Sequence, residues 1–208
     1  MRIYASADIH GAQHRINIIL KNVQIYRPDI VIICGDITQF GPSDLAINLL
    51  NQIPVKTLAI HGNIDPRDVT QAISNSKAVN IHLRQIVING KKFLGIGGDI
   101  TGELSEYRIE NDRSILLSDA IDTNTIVISH IPPYGTQDKV FIGRHIGSRE
   151  LLKIVQVNKP MLVLCGHVHE DPGVTRVDQT IIVNCSMGKR TEGAIVDIND
   201  SINVKIID

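Results

Sequence analysis

Apolar and polar positions along the first third of the chain switch between two periods. Residues 2–7 and the run DIVIIC at 29–34 are short and apolar, as expected of strands covered on both faces. Between them Ile16, Ile19, Leu20 and Val23 recur at helical spacing within residues 14–26. The alternation continues with a helix over 42–52 that opens on Pro42, a strand over 55–60 and a helix over 66–76. Strands and helices in this order predict a parallel sheet with right-handed crossovers.

The rest of the chain is richer in strand. Residues 86–89 and 92–96 flank Asn89-Gly90, a hairpin signal. A polar segment over 105–120 has helical character. Apolar strands are expected at 125–129 and 161–165, with a helix over 148–157 between them, and further strands at 174–177, 180–184, 193–197 and 202–207. The expected fold class is α/β: a four-layer α/β/β/α sandwich of two mixed sheets, in a single domain over residues 1–208.

Composition narrows the function classes. Hydrophobic residues make up 43% and charged residues 21% of the 208, which excludes an intrinsically disordered chain. A formal charge of −1 offers no basic surface for nucleic acid, and 3% aromatics without Trp offer no stacking platform. Cys34, Cys165 and Cys185 are odd in number and have no C-x-x-C spacing, so neither a disulfide framework nor a structural zinc site is expected, and core packing is their reading. No leader-like segment and no run of about 20 apolar residues stands out, so a cytoplasmic protein without a membrane partner is the expectation.

The candidate chemistry lies directly after the expected strands. Asp8 and His10 follow the first, Asp36 the second, Asn63 and Asp65 the third, His130 the strand at 125–129, and His167 and His169 the strand at 161–165. Ligands of open α/β sheets bind at the carboxyl ends of the strands. Taken singly, Asp8 is a helix cap, Asp36 and Asn63 are turn residues and His130 is a loop histidine. Taken together, Asp8, His10, Asp36, Asn63, His130, His167 and His169 are a nitrogen and oxygen donor set at one edge, suited to two divalent transition metal ions. The D-x-H and H-x-H spacings place both side chains of a pair on one side of an extended segment.

The blocks Asp8-Ile9-His10, Gly35-Asp36, Gly62-Asn63-Ile64-Asp65, His130 and Gly166-His167-Val168-His169 resemble, in order and strand context, the signature of the calcineurin-like metallophosphoesterases. The stretch from HIPP through RHIGSRELL to CGHVHE further resembles the branch of predicted phosphoesterases related to the bacterial cyclic-nucleotide phosphodiesterase. The resemblance implies a metal-dependent phosphodiesterase in which a metal-bridging hydroxide attacks in line. It implies one ion on Asp8, His10, Asp36 and His169, and a second on Asp36, Asn63, His130 and His167, with Asp36 as the bridge. Manganese is the first expectation for both ions; iron, zinc, nickel and cobalt suit the same donors.

The chain departs from the family pattern at position 64. The family usually carries His there, facing the phosphate, and this chain has Ile64. Asp65, which supports that His in the family, is then expected to be a turn residue or a cap of the helix at 66–76. The missing imidazole favours a small phosphodiester substrate, a nucleotide among the candidates, over a phosphomonoester. His145, in the Gly-flanked FIGRHIGS loop, is either a surface histidine or the substitute proton donor, grouped here with Asp36 and Asn63 as catalytic. Gly98 and Arg144 are candidate substrate contacts, with Asp99 and Arg108 as weaker ones, and His61 is ambiguous. His14 and His82 read as structural or exposed. A phosphomonoesterase or nucleotidase is the alternative enzyme. A non-catalytic interaction protein on the same fold would be expected to lack ligands, and none is missing here.

Overall fold

The computed structural model describes residues 1–98, 107–110, 112–188 and 190–208, with residues 112–114 described through their backbone only. Asp99, with the rest of residues 99–106, lies outside the described residues. In chain order the first half holds β1 (Arg2–Ser6), α1 (Gln13–Tyr26), β2 (Ile30–Cys34), α2 (Ser43–Leu50), β3 (Thr57–Ile60), α3 (Val69–Asn75) and β4 (Val79–Asn80). Then come the hairpin β5 (Gln85–Ile88) and β6 (Lys91–Ile96), the pair β7 (Arg108–Ile109) and β8 (Asp112–Leu116), and β9 (Thr125–Ser129). The remainder is α4 (Arg149–Asn158), β10 (Leu162–Cys165), β11 (Gly173–Val177), β12 (Thr180–Asn184), β13 (Gly193–Ile198) and β14 (Ile202–Ile207).

Two six-stranded mixed sheets result. One runs β14-β13-β1-β2-β3-β4, the other β11-β12-β10-β9-β6-β5. In the first, β1, β2, β3 and β4 are parallel; in the second, β6, β9, β10 and β12 are parallel. The strand period of two divides their apolar residues between facing layers. Ile3, Ile30, Ile32 and Leu58 of the first sheet meet Phe93, Ile126, Ile128 and Leu164 of the second in the central layer. Tyr4, Val31, Ile33 and Ala59 point the other way, onto Ile16 and Ile19 of α1, Leu49 of α2 and Ile73 of α3. Leu94, Val127 and Val163 face Leu151, Ile154 and Val155 of α4. That is the expected α/β/β/α sandwich, and the hydrophobic runs at 30–34 and 125–129 are fully buried because each is covered on both sides.

One expected element is different. The polar pattern over 105–120 predicts a helix, yet the described part of that segment forms β7 and β8, antiparallel with a register shift, followed by turn structure. Long-range contacts decide it. Ile109 and Leu117 bury themselves in the layer under α4, Glu110 N–H donates to Leu83 O, and Leu117 N–H donates to Tyr107 O. Periodicity within the segment does not report these partners. The short β4 has no sequence signal, since two residues carry no period.

The parallel strands of both sheets end at one edge, where the two sheets are joined. His130 Nδ1 meets Cys34 O at 2.8 Å, His167 N–H donates to Asp8 Oδ2 at 3.2 Å, Met187 N–H to Ala7 O at 3.2 Å and Gly98 N–H to His61 O at 2.8 Å.

Candidate metal centre

The loops after β1, β2, β3, β9 and β10 converge on this edge. Asp8, His10, Asp36 and His167 all have left-handed backbones, with φ of 63°, 51°, 49° and 71°. Left-handed φ is uncommon outside glycine, and it persists where the surroundings over-determine the backbone, often at functional sites. The surroundings here are hydrogen bonds between neighbouring loops: Asp8 N–H to Gly35 O, His10 N–H to Asp36 O and Gly11 N–H to Ile37 O. Gly62 is required at its position because a Cβ would overlap the Asp36 carboxylate.

Two clusters of donors form. Asp8, His10 and His169 make one, and Asp8, Asp36 and His130 the other, each with ligand atoms within 4.8 Å of one another. His10 Nε2 and His169 Nε2 lie 3.2 Å apart, and Asp8 Oδ1 is 3.4 Å from His169 Nε2. His130 Nε2 is 2.8 Å from Asn63 Oδ1 and 3.4 Å from Asp36 Oδ2. The His167 ring lies edge-on to His130 with centroids 5.1 Å apart. Thus Asp8, His10, Asp36, Asn63, His130, His167 and His169 are all at the edge. In this arrangement Asp8 belongs to both clusters, whereas the family resemblance assigns the bridge to Asp36.

The electrostatics explain the spacing. Burial pushes the Asp8 carboxyl up, but the hydrogen bond from His169 and the charges of His130 and His169 outweigh it and bring it down to about 2. Burial pushes His130 down, but hydrogen bonding to Asp36 and the charges of Asp36 and Asp8 raise it to about 9. A charged His130 donates at both nitrogens, to Cys34 O and to Asn63 Oδ1. His10 and His167 are both lowered, first by burial. The raised His130 thus carries a proton on Nε2 between Asn63 Oδ1 and Asp36 Oδ2. His10 Nδ1 is buried without a hydrogen-bond partner, and Asp8 Oδ1 is buried with the 3.4 Å contact to His169 Nε2 in place of a well-formed one. Such orphaned polar atoms are expensive unless something else satisfies them. Nitrogen and carboxylate donors at these separations fit divalent cations. The Cys34 carbonyl fixes Nδ1 of His130 and leaves Nε2 for an ion, as partners behind metal-bound imidazoles do.

Other side chains fall elsewhere. Ile64 N–H donates to Asp36 Oδ1 at 3.1 Å, so position 64 orients that carboxylate through its backbone while its side chain is a half-buried hydrocarbon. Asp65 is not a helix cap. It accepts from Ile37 N, Thr38 N, Thr38 Oγ1 and Gly62 N at 2.7–3.1 Å, and Asp68 occupies the N-cap of α3. His145 is exposed and bonded through Nδ1 to Asp138 Oδ1 at 2.5 Å. Asp138 is fully buried and also accepts from Gly135 N and Gly147 N. His145 lines a cavity of about 650 Å³ with Arg144, Tyr134 and Arg149, none of them in the donor clusters. Gly98 packs against the His61 ring, and His61 lies edge-on to His82 with centroids 4.5 Å apart. His82 is therefore a half-buried partner in this cluster. Sequence reasoning missed Arg15, whose guanidinium donates to Asp8 O from the first turn of α1. Its only sequence signal is a position seven residues after Asp8. The three cysteines are buried and free.

The sequence pattern of the calcineurin-like phosphoesterases matches residues 1–171, and the chain belongs to that family. An uncharacterised protein of Methanocaldococcus jannaschii is 30% identical over 199 residues, covering 89% of this chain and 88% of that one. A Thermus thermophilus protein has the same fold, with a TM-score of 0.71, 17% identity and coverage of 100% and 99% of the two chains. The structure of a novel archaeal phosphodiesterase is similar at a TM-score of 0.59 and 16% identity over the whole of both chains. Family and donor set make this chain a metal-binding hydrolase of phosphoester bonds. Among the described residues no helix is long and apolar enough to cross a membrane.

Proposed function

We propose that this chain is a phosphodiesterase with a two-ion centre, acting on a small phosphodiester in the cytoplasm. The observation that carries the diester reading is Ile64, a hydrocarbon in the slot where the family holds an imidazole against the phosphate. A monoester carries nearly two charges on its phosphate at neutral pH and a diester carries one. Losing a donor penalises the dianion more.

The ligands would be Asp8, His10, Asp36 and His169 for one ion and Asp36, Asn63, His130 and His167 for the other, with manganese first among the candidates. Bound divalent ions supply a water acidified at neutral pH and neutralise the phosphate oxygens. The residues' own share is to hold the donors still: Asp65 clamps the Asp36 and Asn63 loops together, and Ile64 N–H fixes Asp36. During hydrolysis the oxygen of water bonds to phosphorus, the ester P–O bond breaks, and a proton reaches the departing oxygen. His145 is the proposed donor. Asp138 takes its Nδ1–H, which leaves Nε2 to exchange the proton.

The test compares kcat/KM for an aryl diester and its monoester, in the parent and in Ile64→His. The parent is expected to prefer the diester, and Ile64→His to shift the ratio toward the monoester by tenfold or more. A parent that prefers the monoester is a phosphomonoesterase. Metal-loaded protein that binds both without turnover is a binding protein. For His145→Ala, a loss of about 10²–10⁴-fold on poorly activated diesters with aryl diesters spared marks the acid, because aryloxide leaves without help. Equal loss on both removes that role.

A further inference from the structure

Beside the donor clusters lies a cavity of about 790 Å³ that shares His169 with them. That volume is within the range of about 300–1,000 Å³ typical of sites that bury a drug-sized ligand. Its walls combine hydrocarbon from Ile18, Phe141 and Pro172 with the charged side chains of Arg15, Glu170 and Arg190. Phe141 is 91% exposed at this rim, an aromatic ring that folding leaves uncovered. Arg15 spends one of its N–H donors on Asp8 O, and among the described residues it forms no ion pair. A guanidinium has five donors in a planar fork suited to phosphate oxygens.

We infer that this cavity is the subsite for the retained arm of the substrate: a ring-bearing, nucleoside-sized ester substituent that lies against Phe141 and Pro172, with Arg15 as a positioning residue for the phosphate. The inference rests on the diester reading and deepens it. A monoester has one substituent, which leaves with the broken bond, so it fills no second subsite. A diester has two, and the unbroken one needs a place to lie. A retained methyl group would leave nearly all of this volume unfilled. The apolar wall and the single aromatic ring select for a flat, largely apolar group over a sugar alone.

The experiment uses metal-loaded full-length protein and two diesters with the same leaving group, thymidine 5′-(p-nitrophenyl) phosphate and methyl p-nitrophenyl phosphate. In Phe141→Ala, KM for the thymidine diester is expected to rise about tenfold, in line with the worth of one base–aromatic contact, while kcat/KM for the methyl diester stays within twofold. Ile18→Trp, which fills the cavity from α1, is expected to act in the same direction. Arg15→Lys keeps the charge but loses the fork, and is expected to raise KM for both diesters. Equal effects of Phe141→Ala on the two diesters, or none on either, overturn the assignment. Calorimetry separates this from failure of the catalytic reading. If the parent turns over neither diester, the phosphodiesterase proposal fails. The subsite then stands or falls on whether thymidine 5′-monophosphate binds more tightly than methyl phosphate, and whether Phe141→Ala erases that margin.

Discussion

Asp36 illustrates how much one carboxylate carries here. One oxygen accepts Ile64 N–H, the other faces His130 Nε2 at 3.4 Å, and its charge keeps that imidazole protonated in the metal-free protein. Asp36→Asn keeps the shape and removes the charge. Elemental analysis of the purified variant is expected to show at most half the metal of the parent, and phosphoester hydrolysis at least 10²-fold lower; unchanged metal and activity would refute its role as a ligand. His82 gives a prediction of a different kind. Burial and the nearby His61 push it down to about 4, and its Nδ1 accepts Gly97 N–H at 2.9 Å, which requires the neutral ring. Unfolded, it titrates near 6.5. The unfolded state thus binds more protons between these values. The stability that His82 contributes is complete above about pH 6.5 and is lost as pH falls toward 4. Thermal unfolding followed from pH 7 to 4.5 should therefore drop more steeply in the parent than in His82→Asn; parallel curves would contradict the argument.

Among the elements, the loops after β2 and β3 are held by side chain rather than by sheet. Three backbone N–H groups and the Thr38 hydroxyl converge on Asp65. Asp65→Ala leaves those donors unpaired, at about 1–3 kcal/mol each where they stay buried. A total near 3 kcal/mol corresponds to a fall of roughly 6–12 °C in Tm for a domain of this size. Differential scanning calorimetry checks it, and a Tm within 2 °C of the parent would show that the clamp is dispensable. The strands themselves were legible: 125–129 and 180–184 are apolar runs buried on both faces as β9 and β12, and 202–207, whose half-buried residues alternate with exposed ones, coincides with β14. Helix ends were less legible. The helix expected over 66–76 starts at Val69, because Asp65 is drawn away to the neighbouring loop and does not cap it. By contrast, Ser148 caps α4 through Leu151 N–H at 3.1 Å, a local signal.

For the whole molecule, the two sheets meet through an apolar layer in their middle and through the donor residues at one edge. Ions bound there would tie loops of both sheets together. Metal-loaded protein is therefore expected to unfold at a higher temperature than chelator-treated protein, by an increment that grows with free metal concentration, since a ligand of the folded state stabilises it by mass action. A Tm independent of metal would argue against a shared centre. Outside residues 105–120 and the short β4, the chain by itself determined the order of strands and helices, the two-sheet layering, and the placement of Asp8, His10, Asp36, Asn63, His130, His167 and His169 after strand ends. Those features follow from hydrophobic period and from adjacency to a strand end, and both are local in sequence. Tertiary structure alone decided the rest. It set the left-handed backbones at four candidate ligands, the four donors gathered by Asp65, the strand pair within 105–120, the Asp138–His145 contact and the reach of Arg15 to Asp8. Each depends on a partner that the residue's own neighbours do not specify, and hydrogen bonds and burial assign such partners only once the sheets have packed.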